Sequence, residues 1–296
     1  MMKTVQKHRN QWASELDDLI RGASGGFLFG IPLIYTMEVW WIGSSVSMVR
    51  VLLALVLTFA IVFMLNRTAG FRKSADSDPR DELMDTVEAM AIGIICATFI
   101  LVLLREITLE TPLNEALGKV VYEGVPFTLG VALANQFLRS DESASGGEGR
   151  NSSPKSSNGA QKDTLNATIS DIGGTLIGSI VIAFNIAPTD EIPMLAAAVS
   201  GLWLLGIMAA SLLISYAIVF EAGFANQRKR QQQQGIFQRP SSETIASYLV
   251  SLLAAMLMLV FFDKLNGQDP WQTWLSYTIL LGLPATIGGA AGRLAV

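Results

Sequence analysis

Apolar residues run in eight long stretches along the chain, separated by short polar segments and two longer ones. Each stretch approaches the roughly 20 residues that an α-helix needs to cross the hydrocarbon core of a bilayer. The pattern predicts spans near 22–42, 47–65, 86–105, 119–138, 167–187, 194–220, 243–262 and 272–293. The sixth is long enough to tilt or to extend past the lipid. The expected fold class is all-α: a polytopic membrane protein of about eight transmembrane helices. The N-terminal segment, 1–21, is polar and amphipathic, with Val5, Trp12, Leu16, Leu19 and Ile20 near one helical face. It reads as a cytoplasmic interfacial helix or as a plain extension of the first span. It carries no apolar core of the kind that marks a cleavable signal peptide.

Within this pattern, motifs recur in order. Gly25-Gly26-Phe27-Leu28-Phe29-Gly30 returns as Gly173-Gly174-Thr175-Leu176-Ile177-Gly178. The stretch Gly124 to Ala132 returns as Gly282 to Ala290, in the form Gly, apolar, Pro, any, Thr, apolar, Gly, any, Ala. Between them Ala60-Ile61-Val62-Phe63 returns as Ala217-Ile218-Val219-Phe220. Three matches in one order predict two four-helix repeats, 22–138 and 166–296. They are joined by a cytoplasmic linker, 139–165, whose Ser, Gly, Asn and charged residues read as disordered. Four spans per unit is an even number, so the repeats are expected to be parallel, with a functional site at their interface.

Composition agrees with the pattern: 51% of residues are hydrophobic, 16% are charged and the mean hydropathy is +0.42. A soluble domain carries about 25% charged residues. The charges also orient the chain. Of the 21 Lys and Arg residues, 17 fall on the face of the two termini, the linker, the 2–3 loop and the 6–7 loop. Only Arg50, Arg105, Lys119 and Lys264 fall on the other. The positive-inside rule therefore places both termini in the cytoplasm. Trp40, Trp41, Trp271 and Trp274 then fall at the outer interface, where an aromatic belt is expected.

Candidate chemistry is sparse. Nine acids against four bases make the outer face acidic, which would concentrate cations there. Depletion of bases by the positive-inside rule accounts equally well for the loop acids. Glu38 and Glu123 differ, because both interrupt apolar spans near the outer end. A carboxylate in such a place faces a partner, a cavity or a pathway, so each reads as a cation or proton site or as a structural partner of Arg50, Arg105 or Lys119. Gly30 with Pro32, Gly124 with Pro126, and Gly282 with Pro284 predict helix breaks, since proline removes a donor and frees a carbonyl. Thr128 and Thr286 follow two of these breaks and could add hydroxyl ligands. The competing reading of the glycines is close helix packing.

Enzyme classes are disfavoured. Ser24 lies in a Gly-x-Ser-x-Gly setting, but the only histidine, His8, is in the polar N-terminus, and that chemistry needs a base. No P-loop, HExxH or GxGD motif is present, and the lone Cys96 excludes a disulfide and a thiolate zinc site. No cofactor is expected, and no metal is assigned. The expected partners are the lipid bilayer and a small cation or proton. Nucleic acid is not expected, and homo-oligomers are compatible with the chain. The leading function is a channel or secondary transporter for a cation or proton. The alternative is a non-transporting scaffold or sensor acting through its cytoplasmic loops.

The segment Gly25 to Trp41, GGFLFGIPLIYTMEVWW, resembles a family of bacterial integral membrane proteins of unknown function. The resemblance extends over most of the chain outside the linker. It implies a multi-pass protein of the bacterial inner membrane and adds nothing about mechanism. The charge split generates a prediction of its own. Single cysteines placed between Ser140 and Thr164, or at either terminus, should react with membrane-impermeant thiol reagents only from the cytoplasmic side. Labelling of that segment from outside the cell refutes both the orientation and the parallel repeat.

Overall fold

In the computed structural model the backbone is described for residues 2–70, 79–144, 157–222 and 240–295. Among these residues ten α-helices and one π-turn occur, and no strand. In chain order they are α1 (Met2–Ile34), α2 (Met37–Ser45), α3 (Met48–Gly70), α4 (Pro79–Leu103), α5 (Leu113–Ala144), α6 (Ser157–Ile186), α7 (Glu191–Ala198), α8 (Gly201–Tyr216), α9 (Pro240–Phe261) and α10 (Trp271–Ala295). The π-turn, Ala217–Glu221, continues α8. Six helices are long and apolar enough to cross a membrane, or up to eight if each of two bent pairs counts as one span.

The bent pairs correct the predicted boundaries. Stretch 22–42 is not one straight helix: α1 and α2 meet at 92°. Likewise α6 and α7 meet at 88°, and the expected long sixth span is in fact α7 and α8 separated at Val199 and Ser200. Both bends have the same local chemistry. A helix end leaves carbonyls without donors, and at each elbow a threonine supplies one. Thr36 Oγ1 donates to Leu33 O at 2.9 Å, and Thr189 Oγ1 donates to Ile186 O at 2.6 Å. Thr36 itself is extended, at φ −141° and ψ 96°. Hydropathy cannot detect this, because a bent apolar segment and a straight one average alike.

The N-terminal segment is continuous with the first span in α1. Helices also reach into the expected linker: α5 runs to Ala144 and α6 starts at Ser157, which leaves 145–156 outside the described residues.

In the first half of the chain, α1, α2, α3 and α4 all pack on α5. In the second half, α6, α7, α8 and α9 all pack on α10. Burial follows from this placement: 67% of the α10 span window is buried against 17% of α3, whose remaining surface is left for lipid. Glycines make the close approach possible. A Cβ on Gly25 would stand 2.6 Å from Gly130 O, and one on Gly288 would meet Ile182 Cγ1 at 2.5 Å. Gly178 and Gly292 would likewise drive a Cβ into the carbonyls of Gly288 and Gly174. These are small-residue crossings of α1 on α5 and of α6 on α10.

Helices α4 and α9 end alike. Arg105 and Asp263 take the left-handed conformation, at φ 62° and 58°. In each case the next amide reaches back five residues, Glu106 N to Leu101 O and Lys264 N to Leu259 O, both at 2.9 Å. This is a Schellman closure built without glycine. Contact between the two halves is carried mainly by α1, which lies against α10 and the π-turn; α6 has no comparable contact with α5 among the described residues.

The crossings yield a mutational test. Gly25→Ala and Gly178→Ala should each destabilise the protein in detergent by about 1–3 kcal/mol through overpacking. Gly173→Ala, where a Cβ meets nothing within 4 Å, should be neutral or stabilising by up to about 1 kcal/mol. Thermal unfolding of the three variants checks the difference.

Candidate functional site

The N-terminal end of α5 gathers a group of ionisable side chains, with Lys119 and Glu123 buried among them. Helix α2 lies across it, and a Cβ on Gly43 would stand 2.8 Å from Lys119 Cα. That close approach confines Lys119, which is 8% exposed. Its ammonium donates to Glu106 O at 3.0 Å and pairs with Glu106 Oε2 at 3.3 Å and Glu115 Oε1 at 3.1 Å. Burial, the largest cause, holds Glu106 above the usual carboxylate range, and Lys119 partly offsets it. One turn further along α5, Glu123 is 1% exposed, and its Oε1 has no hydrogen-bond partner. The structure therefore brings Glu123 beside Lys119 in sequence but pairs Lys119 with other acids.

The remaining expected site residues separate into different roles. Glu38 is exposed on α2 and does not join the buried cluster. Thr128 is buried against Gly93 of α4. Thr286 Oγ1 donates to Gly282 O at 2.6 Å, within its own helix. Both threonines thus pack inside their own halves. Gly30 accommodates the Phe127 ring, Gly124 lies 3.5 Å from Ile94 Cγ1 for an added Cβ, and Gly282 faces Leu252. Pro32, Pro126 and Pro284 all sit inside continuous helices. Trp40, expected in the aromatic belt, is 1% exposed, while its neighbour Trp41 faces outward at 59%. The α1–α2 elbow turns Trp40 into the core. Ser24 is buried in α1, as a packing residue would be.

Two residues were missed by sequence reasoning. Glu191, grouped with ordinary loop acids, is 5% exposed, and its Oε1 lies 3.4 Å from Met37 N of the other half. Tyr35, next to the elbow, donates its hydroxyl to Leu280 O at 2.8 Å. Only the second had a usable signal: Pro284 leaves the carbonyl four residues earlier without a helical donor.

Apolar spanning helices, a buried ion-pair network and glycine crossings define an integral membrane protein. The chain belongs to the family described as "Putative integral membrane protein (DUF2391)", which it matches over residues 18–296. No curated protein and no solved structure matches it.

Lys119 generates a prediction. Lys119→Met strands Glu106 and Glu115 and should cost about 2–4 kcal/mol, somewhat below a fully buried pair. A carboxyl held above its unfolded pKa binds its proton more tightly in the folded state, so the charge penalty vanishes at low pH and grows as pH rises. The deficit of Lys119→Met relative to wild type should therefore shrink as pH is lowered through the range where Glu106 takes up its proton. Chemical denaturation at several pH values reads it.

Proposed function

We propose that this protein is a proton-conducting channel or proton-coupled secondary transporter of the bacterial inner membrane, not an enzyme, with both termini cytoplasmic. Glu123 is its proton-binding group. The observation that carries the reading is the Glu123 carboxyl, buried at the outer end of a span with one oxygen lacking a donor. An intramembrane carboxylate marks an ion or proton route by default. A larger cation is disfavoured because the Lys119 ammonium already occupies the space between Glu106 and Glu115. No group of three metal-ligating side chains occurs among the described residues. The site in this reading lies within the first half, near the outer mouth, and the acidic outer face gathers protons toward it.

The same reading holds that the chain has eight spans in two parallel four-helix repeats. Several paired features support it: the two elbows with their threonine caps, the α5 and α10 hubs, and the Schellman closures at Arg105 and Asp263. Thr86 and Thr244 extend the pairing, each donating to the carbonyl four residues earlier. Thr58 and Ser211 do so as well. That register sets Ala217 to Phe220 one turn beyond Ala60 to Phe63, so this short motif match is not an equivalence. The scaffold or sensor alternative would act through loops 71–78, 145–156 and 223–239, which lie outside the described residues.

Reconstitution into liposomes carrying an internal pH-sensitive dye tests the proposal. Wild type should dissipate an imposed proton gradient when a potential is applied. Glu123→Gln, which keeps shape and loses charge, should lower that flux at least about tenfold, the size of a barrier change of about 1.4 kcal/mol. Its melting temperature should stay near that of wild type. Absence of flux in wild type, or equal flux in the variant, defeats the reading.

A further inference from the structure

Pro284 lies inside α10 and has no N–H, so Leu280 O loses the helical donor it would otherwise have four residues on. Leu280 is 0% exposed, so neither water nor a lipid headgroup can supply the missing bond. A carbonyl left bare at that depth is costly. The structure fills it from the other half of the chain: Tyr35 Oη, on a side chain 4% exposed, donates to Leu280 O at 2.8 Å. Tyr35 stands at the α1–α2 elbow, between the last residue of α1 and the first cap of α2. Two residues on, Met37 N–H faces Glu191 Oε1 at 3.4 Å. The N-terminus of α2 is electropositive, so the Glu191 carboxylate suits that place. The elbow is thereby held to the second half at two neighbouring points.

A helix missing a bond at proline bends there more easily than elsewhere. The outer part of α10, from Trp271 to Leu283, can therefore swing relative to the inner part. The α1–α2 elbow is a second place that can bend, since α2 joins α1 through two non-helical residues only. We propose that Pro284 is a hinge in α10 and that the Tyr35 hydroxyl is its latch. With the hydroxyl on Leu280 O, the elbow and the outer part of α10 are fixed to each other. With it released, both move, and they move together. Hinge and latch rest on the backbone break alone, whatever the protein carries.

A double-mutant cycle on the full chain in detergent reads this directly. Tyr35→Phe removes the hydroxyl and keeps the ring, so its melting temperature should fall by about 2–6 °C. In Pro284→Ala the new amide serves Leu280 O, and adding Tyr35→Phe should then shift the melting temperature by less than about 1 °C. Spin labels at Ser45 on α2 and Gln272 on α10, in a Cys96→Ala background, report the motion. Their distance distribution should broaden in Tyr35→Phe and sharpen again when Pro284→Ala is added. Equal melting losses in both backgrounds, or an unchanged distribution in Tyr35→Phe, overturn the latch. If Pro284→Ala fails to fold, Pro284→Ser supplies the same amide, and the spin-label distance in Tyr35→Phe still decides. Proton flux is not used, so failure of the latch and failure of the transport reading are separate results.

Discussion

Within a bilayer every backbone amide and carbonyl has to find its partner inside the protein. That constraint organises the way the two halves of this chain meet. Among the described residues, four polar contacts cross between them, and each lands on a backbone group at a helix end or a proline break. Arg21 Nε donates to Ala222 O at 3.3 Å, just past the π-turn. Tyr35 Oη donates to Leu280 O at 2.8 Å, below the Pro284 break. Glu191 accepts from Met37 N, at the start of α2. Trp203 Nε1 donates to Leu103 O at 2.6 Å, at the end of α4, while Arg105 lies over the Trp203 ring at 5.5 Å. The irregular points of one half are completed by side chains of the other or complete them in turn.

Inside each half the forces differ. There the dominant theme is steric: glycines bring α1 onto α5 and α6 onto α10, backbone to backbone. Ionic groups are kept to the edges. Lys119 with Glu106 and Glu115 sits at the N-terminal end of α5, and Arg293 with Glu243 sits at the C-terminal end of α10, under the Phe220 ring of the π-turn. Between these ends the second half buries hydroxyls instead, such as the Ser179–Ser251 pair at 2.9 Å. The halves share a plan of packing and diverge in what they bury.

Much of this plan was legible in the sequence. Apolar runs locate α3, α4, α5, α9 and α10 closely, and the repeated glycines and prolines point to the two hub helices. The elbows were not legible, because hydropathy averages over direction and Thr36 or Thr189 in an apolar run looks unremarkable. Trp40 was misplaced for the same reason, since a belt position was inferred from a straight helix. Of the candidate acids, Glu123 proved buried and Glu38 exposed, a difference that depends on which way α2 turns after Tyr35. Glu191 could not be told from a loop acid, since its burial depends on a half of the chain that lies far away in sequence.

The bridging role of α1 bears on how the protein is made. Its contacts with Ala222 and Leu280 span 201 and 245 positions along the chain. Helix α1 leaves the ribosome long before Leu280 does. Until the second half is made, Arg21 and Tyr35 have no native partner, although α5 can already seat the glycine-lined face of α1. Assembly is thus divided in time: the first half can close around its own hub as it is inserted, and the contact between the halves is completed only when α10 arrives. A chain stalled before α10 would leave the Tyr35 hydroxyl without its Leu280 partner and α6 without the helix it packs on.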